Sequence, residues 1–298
     1  MTGSVPAGSG SGVPAGGAID YWCNRFFPEQ AAVWNAALEA TGVSVKVRAG
    51  GTDSFCDADT MVTRMDELGI AAVILPVTHH PAHTEPTDFE LFAAQPRDLD
   101  RLTGIHPGRF WGQWSVDPRT GMAGVDEAAA MLDQPWCVGL HTHTHSFDRR
   151  FDHADYYPYY ALCASRDVPF VMQAGTSGGL MGSECGVPIG IDRPALYFPR
   201  VRFVLSHTGW PWVTECMAMA LKFPNVYLGT SVYPPRYWSV ELVAFMNGAG
   251  RRKCLWGTGF PTVGHRHSLT QLPEVGLGDE ARTNLLGGTA RRVFTRLG

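Results

Sequence analysis

Positive charge is in short supply in this sequence. Across 298 residues, 24 Lys and Arg stand against 28 Asp and Glu, a net charge of -4, with a pI near 6.2. That balance gives no electrostatic attraction for nucleic acid or an anionic membrane, so a small molecule is the expected partner. Long apolar runs are missing too: none approaches the ~18 residues of a membrane span. Cysteine occurs seven times, at Cys23, Cys56, Cys137, Cys163, Cys185, Cys216 and Cys254, but never as Cys-x-x-Cys. Most of these lie in apolar runs, which suits reduced, buried thiols, and a cytoplasmic protein is expected. Met1 to Gly17 lack a basic or long apolar region and are mostly Gly, Ser, Ala, Pro and Val. They read as a flexible tail, not a signal peptide, ahead of one domain spanning 18–298.

What is present is core-forming material: 45% hydrophobic and 11% aromatic residues, enough for one large domain. Short apolar runs alternate with helical spacing along the chain. Strands are expected at Ala18 to Trp22, Ala71 to Val77, Phe110 to Val116, Cys137 to His141, Pro169 to Gln173, Val201 to Ser206, Val226 to Gly229 and Cys254 to Trp256. Helices are expected at Glu29 to Ala40, Ala58 to Leu68, Val125 to Leu132, Tyr157 to Arg166, Pro211 to Lys222, Val240 to Asn247 and Asp279 to Leu297. Asp88 to Thr103 reads as helical in pieces broken at Pro96, and Val43 to Cys56 as an insertion. A Gly-rich segment, Ala174 to Asp192, is too polar for core and has the length of a functional loop. Eight near-continuously apolar strands alternating with helices predict an α/β fold, a closed (β/α)8 TIM barrel.

In such a barrel the site lies where the strands end. Those ends carry Trp22, Cys23 and Asn24; His79 and His80; Gln113 and Ser115; His141, His143 and His145; Gln173; His207; Thr230; and Gly257 to Gly259. The densest is Val138-Gly-Leu-His-Thr-His-Thr-His-Ser146. If the strand continues through it, alternation points three imidazoles one way. If it ends near Leu140, they fan out through a loop.

Several stretches resemble the amidohydrolase-related family. They are Ile19-Asp-Tyr-Trp-Cys-Asn24 with Pro28-Glu29, Gly104-Ile-His-Pro-Gly-Arg-Phe110, Val116-Asp-Pro118, Gly182-Ser-Glu-Cys-Gly-Val-Pro188, Leu205-Ser-His-Thr-Gly-Trp-Pro-Trp212, Pro224-Asn-Val-Tyr227, Leu255-Trp-Gly-Thr-Gly-Phe-Pro261 and Asn284 to Phe294. This is the branch of the amidohydrolase superfamily with aminocarboxymuconate semialdehyde decarboxylase, resorcylate-type decarboxylases, lactonases and hydratases. The resemblance implies a barrel with one divalent metal at the strand ends, and places an Asp-x-His-x-His on the first strand, a ligand histidine after the fifth, a histidine after the sixth and an Asp after the eighth. Here those positions read Asp20-Tyr21-Trp22-Cys23-Asn24, Gln173, His207 and Gly257-Thr258-Gly259-Phe260-Pro261. Trp22, Asn24, Gln173 and Gly259 are poor replacements for imidazole or carboxylate. The ordinary metal site is therefore expected to be lost, and no cofactor is expected; the alternative is a relocated Zn2+ on His141, His143 and His145.

His207 is what remains of the family's set, where the resemblance gives it the role of proton carrier; bracing the Ser206 to Gly209 turn is the other role open to it. The expected catalytic groups are His207, His143 and His141. Trp22, Asn24, His79, Gln173, Glu184 and Trp212 are expected to contact substrate, with the tryptophans forming an aromatic wall. His265 and His267 read as a basic rim or a solvated loop. The expected function is an amidohydrolase-like hydrolase or decarboxylase-type lyase acting on a small cyclic or carboxylated substrate by histidine acid-base catalysis. The alternatives are a metal-free isomerase or cyclase, or a non-catalytic small-molecule-binding relative. The resemblance also admits a homodimer.

Overall fold

The computed structural model describes residues 16–41, 55–78, 92–177 and 180–297. Eight strands run parallel in chain order: β1 (Ala18–Asp20), β2 (Ile70–Val77), β3 (Phe110–Ser115), β4 (Cys137–Thr142), β5 (Phe170–Gln173), β6 (Phe203–Ser206), β7 (Val226–Gly229) and β8 (Cys254–Leu255). Backbone bonds join the two edges: Tyr21 N–H donates to Trp256 O at 3.2 Å, Gly259 N–H to Trp22 O at 2.8 Å and Asn24 N–H to Phe260 O at 2.9 Å. The sheet is thus a nearly closed (β/α)8 barrel, as the alternating pattern predicts.

Strand alternation sorts the core into two layers. Val73, Leu75, Phe110, Leu140, Met172, Phe203 and Leu205 pack outward under the helices. Ile19, Tyr21, Ala72, Ile74, Val138, Val171, Val204 and Leu255 fill the lumen. Each such fully buried large side chain contributes about 1.5–3 kcal/mol relative to exposure.

The helices outside are α1 (Gln30–Thr41), α2 (Ala58–Leu68), α3 (Pro96–Ile105), α4 (Gly121–Leu132), α5 (Thr144–Phe147), α6 (Tyr157–Arg166), α7 (Asp192–Tyr197), α8 (Val213–Lys222), α9 (Val240–Asn247), α10 (His265–Gln271), α11 (Asp279–Thr283) and α12 (Thr289–Val293). Helix α2 falls where its spacing puts it, with Asp57 capping Thr60 N–H at 2.8 Å and Gly69 ending it in the left-handed region, φ 67°. Two expectations need correction. Pro96 opens α3 and does not break it, because proline at the first helical position gives up an N–H that has no helical partner anyway. The loop after β5, expected to be too polar for core, buries Cys185, Pro188 and Ile191 in tight turns at Glu184–Gly186 and Pro188–Ile191 and then forms α7. The stretch read as an insertion lies almost entirely outside the described residues, as does most of the N-terminal tail. Among the described residues no helix is long and apolar enough to cross a membrane.

Candidate active site

The histidine run divides at the end of β4. His141 is in the strand; after His143 the backbone turns into α5, so His145 leaves the alternation. His143 Nδ1 lies 2.7 Å from Ser146 Oγ, and His145 Nε2 lies 3.0 Å from Gly175 O. The rings of His143 and His145 have centroids 5.6 Å apart. All three are buried. Burial pushes His141 down to about 3 and His143 well below its usual range, the latter helped by His145, His207 and His141 nearby. These imidazoles are therefore neutral at physiological pH.

Trp22 stands between this run and His207. Its indole meets His141 edge-on at 5.2 Å and His207 at 5.5 Å. Edge-to-face contacts of this kind fix ring planes as well as positions. His207 follows β6 with φ 59°, and Thr208 with φ 54°, a region few non-glycine residues adopt. Its Nδ1 is 2.7 Å from Ser231 Oγ. Burial, then His145, holds it down at about 3.

The other expected contacts divide. Asn24 uses both ends of its amide within the chain: Oδ1 accepts from Trp22 Nε1 at 3.2 Å and Nδ2 donates to Gly259 O at 3.1 Å. Gln173 is buried at the end of β5. Glu184 is exposed on its turn and Trp212 is half-buried ahead of α8. His79 lies outside the described residues. Gln113, on β3, is fully buried, with Nε2 donating to Tyr21 O at 3.2 Å and Oε1 without a hydrogen-bond partner.

His265 is neither rim nor solvated loop. It is buried at the start of α10, stacked on Phe260 at 4.7 Å, with Nε2 2.9 Å from Asp20 Oδ2. Asp20 accepts also from Trp22 N–H at 3.0 Å, from Thr258 N–H at 3.1 Å and from the Thr258 hydroxyl. A buried carboxylate requires such partners, and this one ties β1 to the segment after β8. Nothing local in Gly264-His-Arg-His marks His265 as internal; its partner is 245 residues away. Asp20, Cys23 and His265 form the one group of possible ligands, among the described residues, with atoms all within 4.8 Å of one another. It is a poor cation site, since the carboxylate is already saturated with donors and burial, then Asp20, keeps the Cys23 thiol protonated.

The depressed imidazoles set a pH dependence. For His141 and His207 the folded value, about 3, lies below the ordinary 6.5, so the unfolded chain takes up the protons first. Their contribution is present above pH 6.5 and is lost as pH falls toward 3, at up to about 1.4 kcal/mol per pH unit for each imidazole. Urea midpoints should fall between pH 7 and 4, with a shallower slope in His141→Gln. An unchanged slope in that variant would contradict the burial account.

Three comparisons place this geometry among known proteins. The amidohydrolase family profile matches residues 90–296. No curated protein matches the sequence. Among solved structures, an uncharacterized TIM-barrel protein from Bordetella bronchiseptica shares 21% identity at a TM-score of 0.72, covering 94% of this chain and 99% of that one. A 2,6-dihydroxybenzoate decarboxylase from Rhizobium shares 16% identity, TM-score 0.67, covering 95% and 99%. A dihydroxybenzoic acid decarboxylase from a Polaromonas species, holding manganese and the inhibitor 2-nitroresorcinol, shares 18%, TM-score 0.65, covering 94% and 97%.

The manganese corrects one expectation: the reading that this chain uses no cofactor does not stand. Its physical weakness is plain in the mouth itself. Loss of donors at Trp22, Asn24, Gln173 and Gly259 removes one ligand set but leaves buried, neutral imidazoles, the form that binds cations. The barrel, the histidines gathered at its strand ends and the profile match over most of its length agree: this chain belongs to the amidohydrolase family and is an enzyme of the hydrolase or lyase type.

Proposed function

We propose that this enzyme is a decarboxylase-type lyase that releases carbon dioxide from a small carboxylated aromatic acid, with His207 as the proton carrier. The observation that carries this reading is the convergence of His141 and His207 on the buried Trp22 indole. A flat ring entering the mouth meets one aromatic wall and two neutral imidazoles. Carboxyl loss requires a proton at the ring carbon as the carbon–carbon bond breaks. In the mouth without substrate His207 is held at about 3, but an anionic carboxylate beside it favours the imidazolium and raises it toward a useful range. His141 and Trp22 keep water from the reacting face, and Gln113 and Gln173 supply neutral hydrogen-bonding groups to the substrate.

His141, His143 and His145 are not, among the described residues, a group with ligand atoms all within 4.8 Å of one another. His143 and His145 each rest one ring nitrogen on a protein oxygen, the arrangement that orients ligand imidazoles, and these two would hold a divalent cation. A bound cation would supply polarisation of a substrate oxygen. The family fold gives the substrate class by analogy, since decarboxylases of hydroxybenzoates share it. The buried free thiols support a reducing compartment such as the cytoplasm.

The test is carbon dioxide release from a panel of hydroxybenzoates in the presence of manganese, with metal content measured in parallel. Turnover of at least one acid is expected, with about one manganese per chain that falls in a His143→Ala, His145→Ala double variant. Acids that bind but emerge unchanged after long incubation would overturn the reading.

A further inference from the structure

Tyr21 lies in β1's continuation, between the Asp20 clamp and Trp22, and the steps proposed above do not use it. Its side chain is fully buried and crosses the lumen through a slot that two glycines keep open. A Cβ on Gly229 would sit 2.0 Å from the phenol oxygen, and one on Gly257 2.4 Å from the ring. The phenol ends 2.5 Å from Ser231 Oγ, which is itself 2.7 Å from His207 Nδ1. The relay is thus assembled from the ends of three separate strands, and every member is buried. It is also flanked by backbone that few residues adopt: His207, Thr208 and Val232 have φ of 59°, 54° and 62°. For the β-branched Val232 that conformation is a genuine outlier, of the kind that gathers at functional sites.

The direction of the hydrogen bonds follows from counting protons. Among the described residues the Tyr21 phenol has one hydrogen-bond partner, Ser231 Oγ. A buried phenol proton left without an acceptor is costly, so the phenol donates its own proton to Ser231 Oγ. Ser231 has one proton, which then goes to His207 Nδ1 as acceptor. A neutral imidazole accepting at Nδ1 carries its hydrogen on Nε2. We propose that Tyr21, acting through Ser231, is a positioning residue that holds the neutral His207 in the Nε2–H tautomer, so that the resting ring presents an N–H hydrogen-bond donor, and not a lone pair, to the substrate. Burial disfavours the phenolate, so Tyr21 orients the relay without itself giving up a proton. A histidine whose tautomer is set by the bond at its far nitrogen is a general device for assigning its chemical role. The consequence for turnover rests on the decarboxylase reading; the tautomer does not.

The closing experiment separates the two. Multiple-bond proton–nitrogen NMR of the full chain, with His207 assigned by its loss in His207→Asn, reports the tautomer without any substrate. The Nε2–H pattern is expected at neutral pH in the wild type and in Ser231→Thr, which keeps the hydroxyl. In Tyr21→Phe the serine hydroxyl loses its donor and can accept from the ring, so a mixed or Nδ1–H pattern is expected. Should that variant fail to fold, Ser231→Ala is expected to show the same loss of the pure Nε2–H signal. An Nδ1–H wild type, or an Nε2–H pattern unchanged in both variants, would overturn the relay. With an acid that is turned over, Tyr21→Phe is expected to lower kcat about tenfold with KM within about twofold, since only proton delivery is affected. Absence of turnover in the wild type alongside the expected tautomer would remove the decarboxylase reading and leave the relay standing.

Discussion

Replacing His207 with asparagine is expected to lower turnover of the carboxylated substrate about 10²–10⁴-fold, the usual worth of a positioned acid or base. Asparagine is the informative substitute for two reasons. It tolerates the left-handed backbone that His207 adopts at φ 59°. Its amide also reaches the place of Nδ1, so the bond to Ser231, 2.7 Å long in the native enzyme, has a replacement. What vanishes is the Nε2 side of the ring, the side that the proposed proton transfer uses. The loss should therefore appear in kcat, with substrate affinity changed little and the thermal transition near that of the wild type. Activity within about twofold of native would remove His207 as the proton carrier and leave it the role of bracing its turn.

The largest effect on stability is expected from Asp20→Ala, about 3–5 kcal/mol in urea denaturation. Asp20 is fully buried and accepts from Trp22 N–H, from both Thr258 donors and from His265. Its removal strands all of these in the interior, and each unsatisfied buried group costs about 1–3 kcal/mol. It also loosens the seam where β1 meets the segment after β8, on which barrel closure depends. Asp20→Asn should cost less, since it keeps an acceptor for the backbone donors while setting an amide against His265. A midpoint for Asp20→Ala within error of the wild type would show that the carboxylate is not what holds the seam.

Much of the scaffold was legible along the chain. Short apolar runs alternating with helical spacing located all eight strands, and helix α2 was bounded correctly as Ala58 to Leu68. The Pro96 break was misread because a proline interrupts a helix or begins one according to what precedes it, and the capping pair Gln95 and Asp98 decides for a beginning. Of the candidate site, Trp22, His141, His143 and His207 were found because strand ends converge in a barrel whatever their separation in sequence. Tyr21, Ser231 and His265 were not, since each owes its place to a partner on a different strand: Ser231 lies 210 residues from Tyr21 and His265 lies 245 from Asp20. Glu184, singled out for its loop, faces solvent.

The run at His141, His143 and His145 divides the two kinds of information cleanly. By itself the sequence determined that a parallel barrel forms and that imidazoles stand at one of its mouths, because periodicity and apolar character are local properties that any fold of this chain must bury. Only the tertiary structure decided what those imidazoles are. Burial that no spacing encodes keeps them neutral, the turn after His143 takes His145 out of line, and Trp22, Tyr21 and Ser231, brought from distant strands, orient His207. Protonation state and ring direction depend on what surrounds a side chain in space, and those surroundings exist only once the barrel has closed.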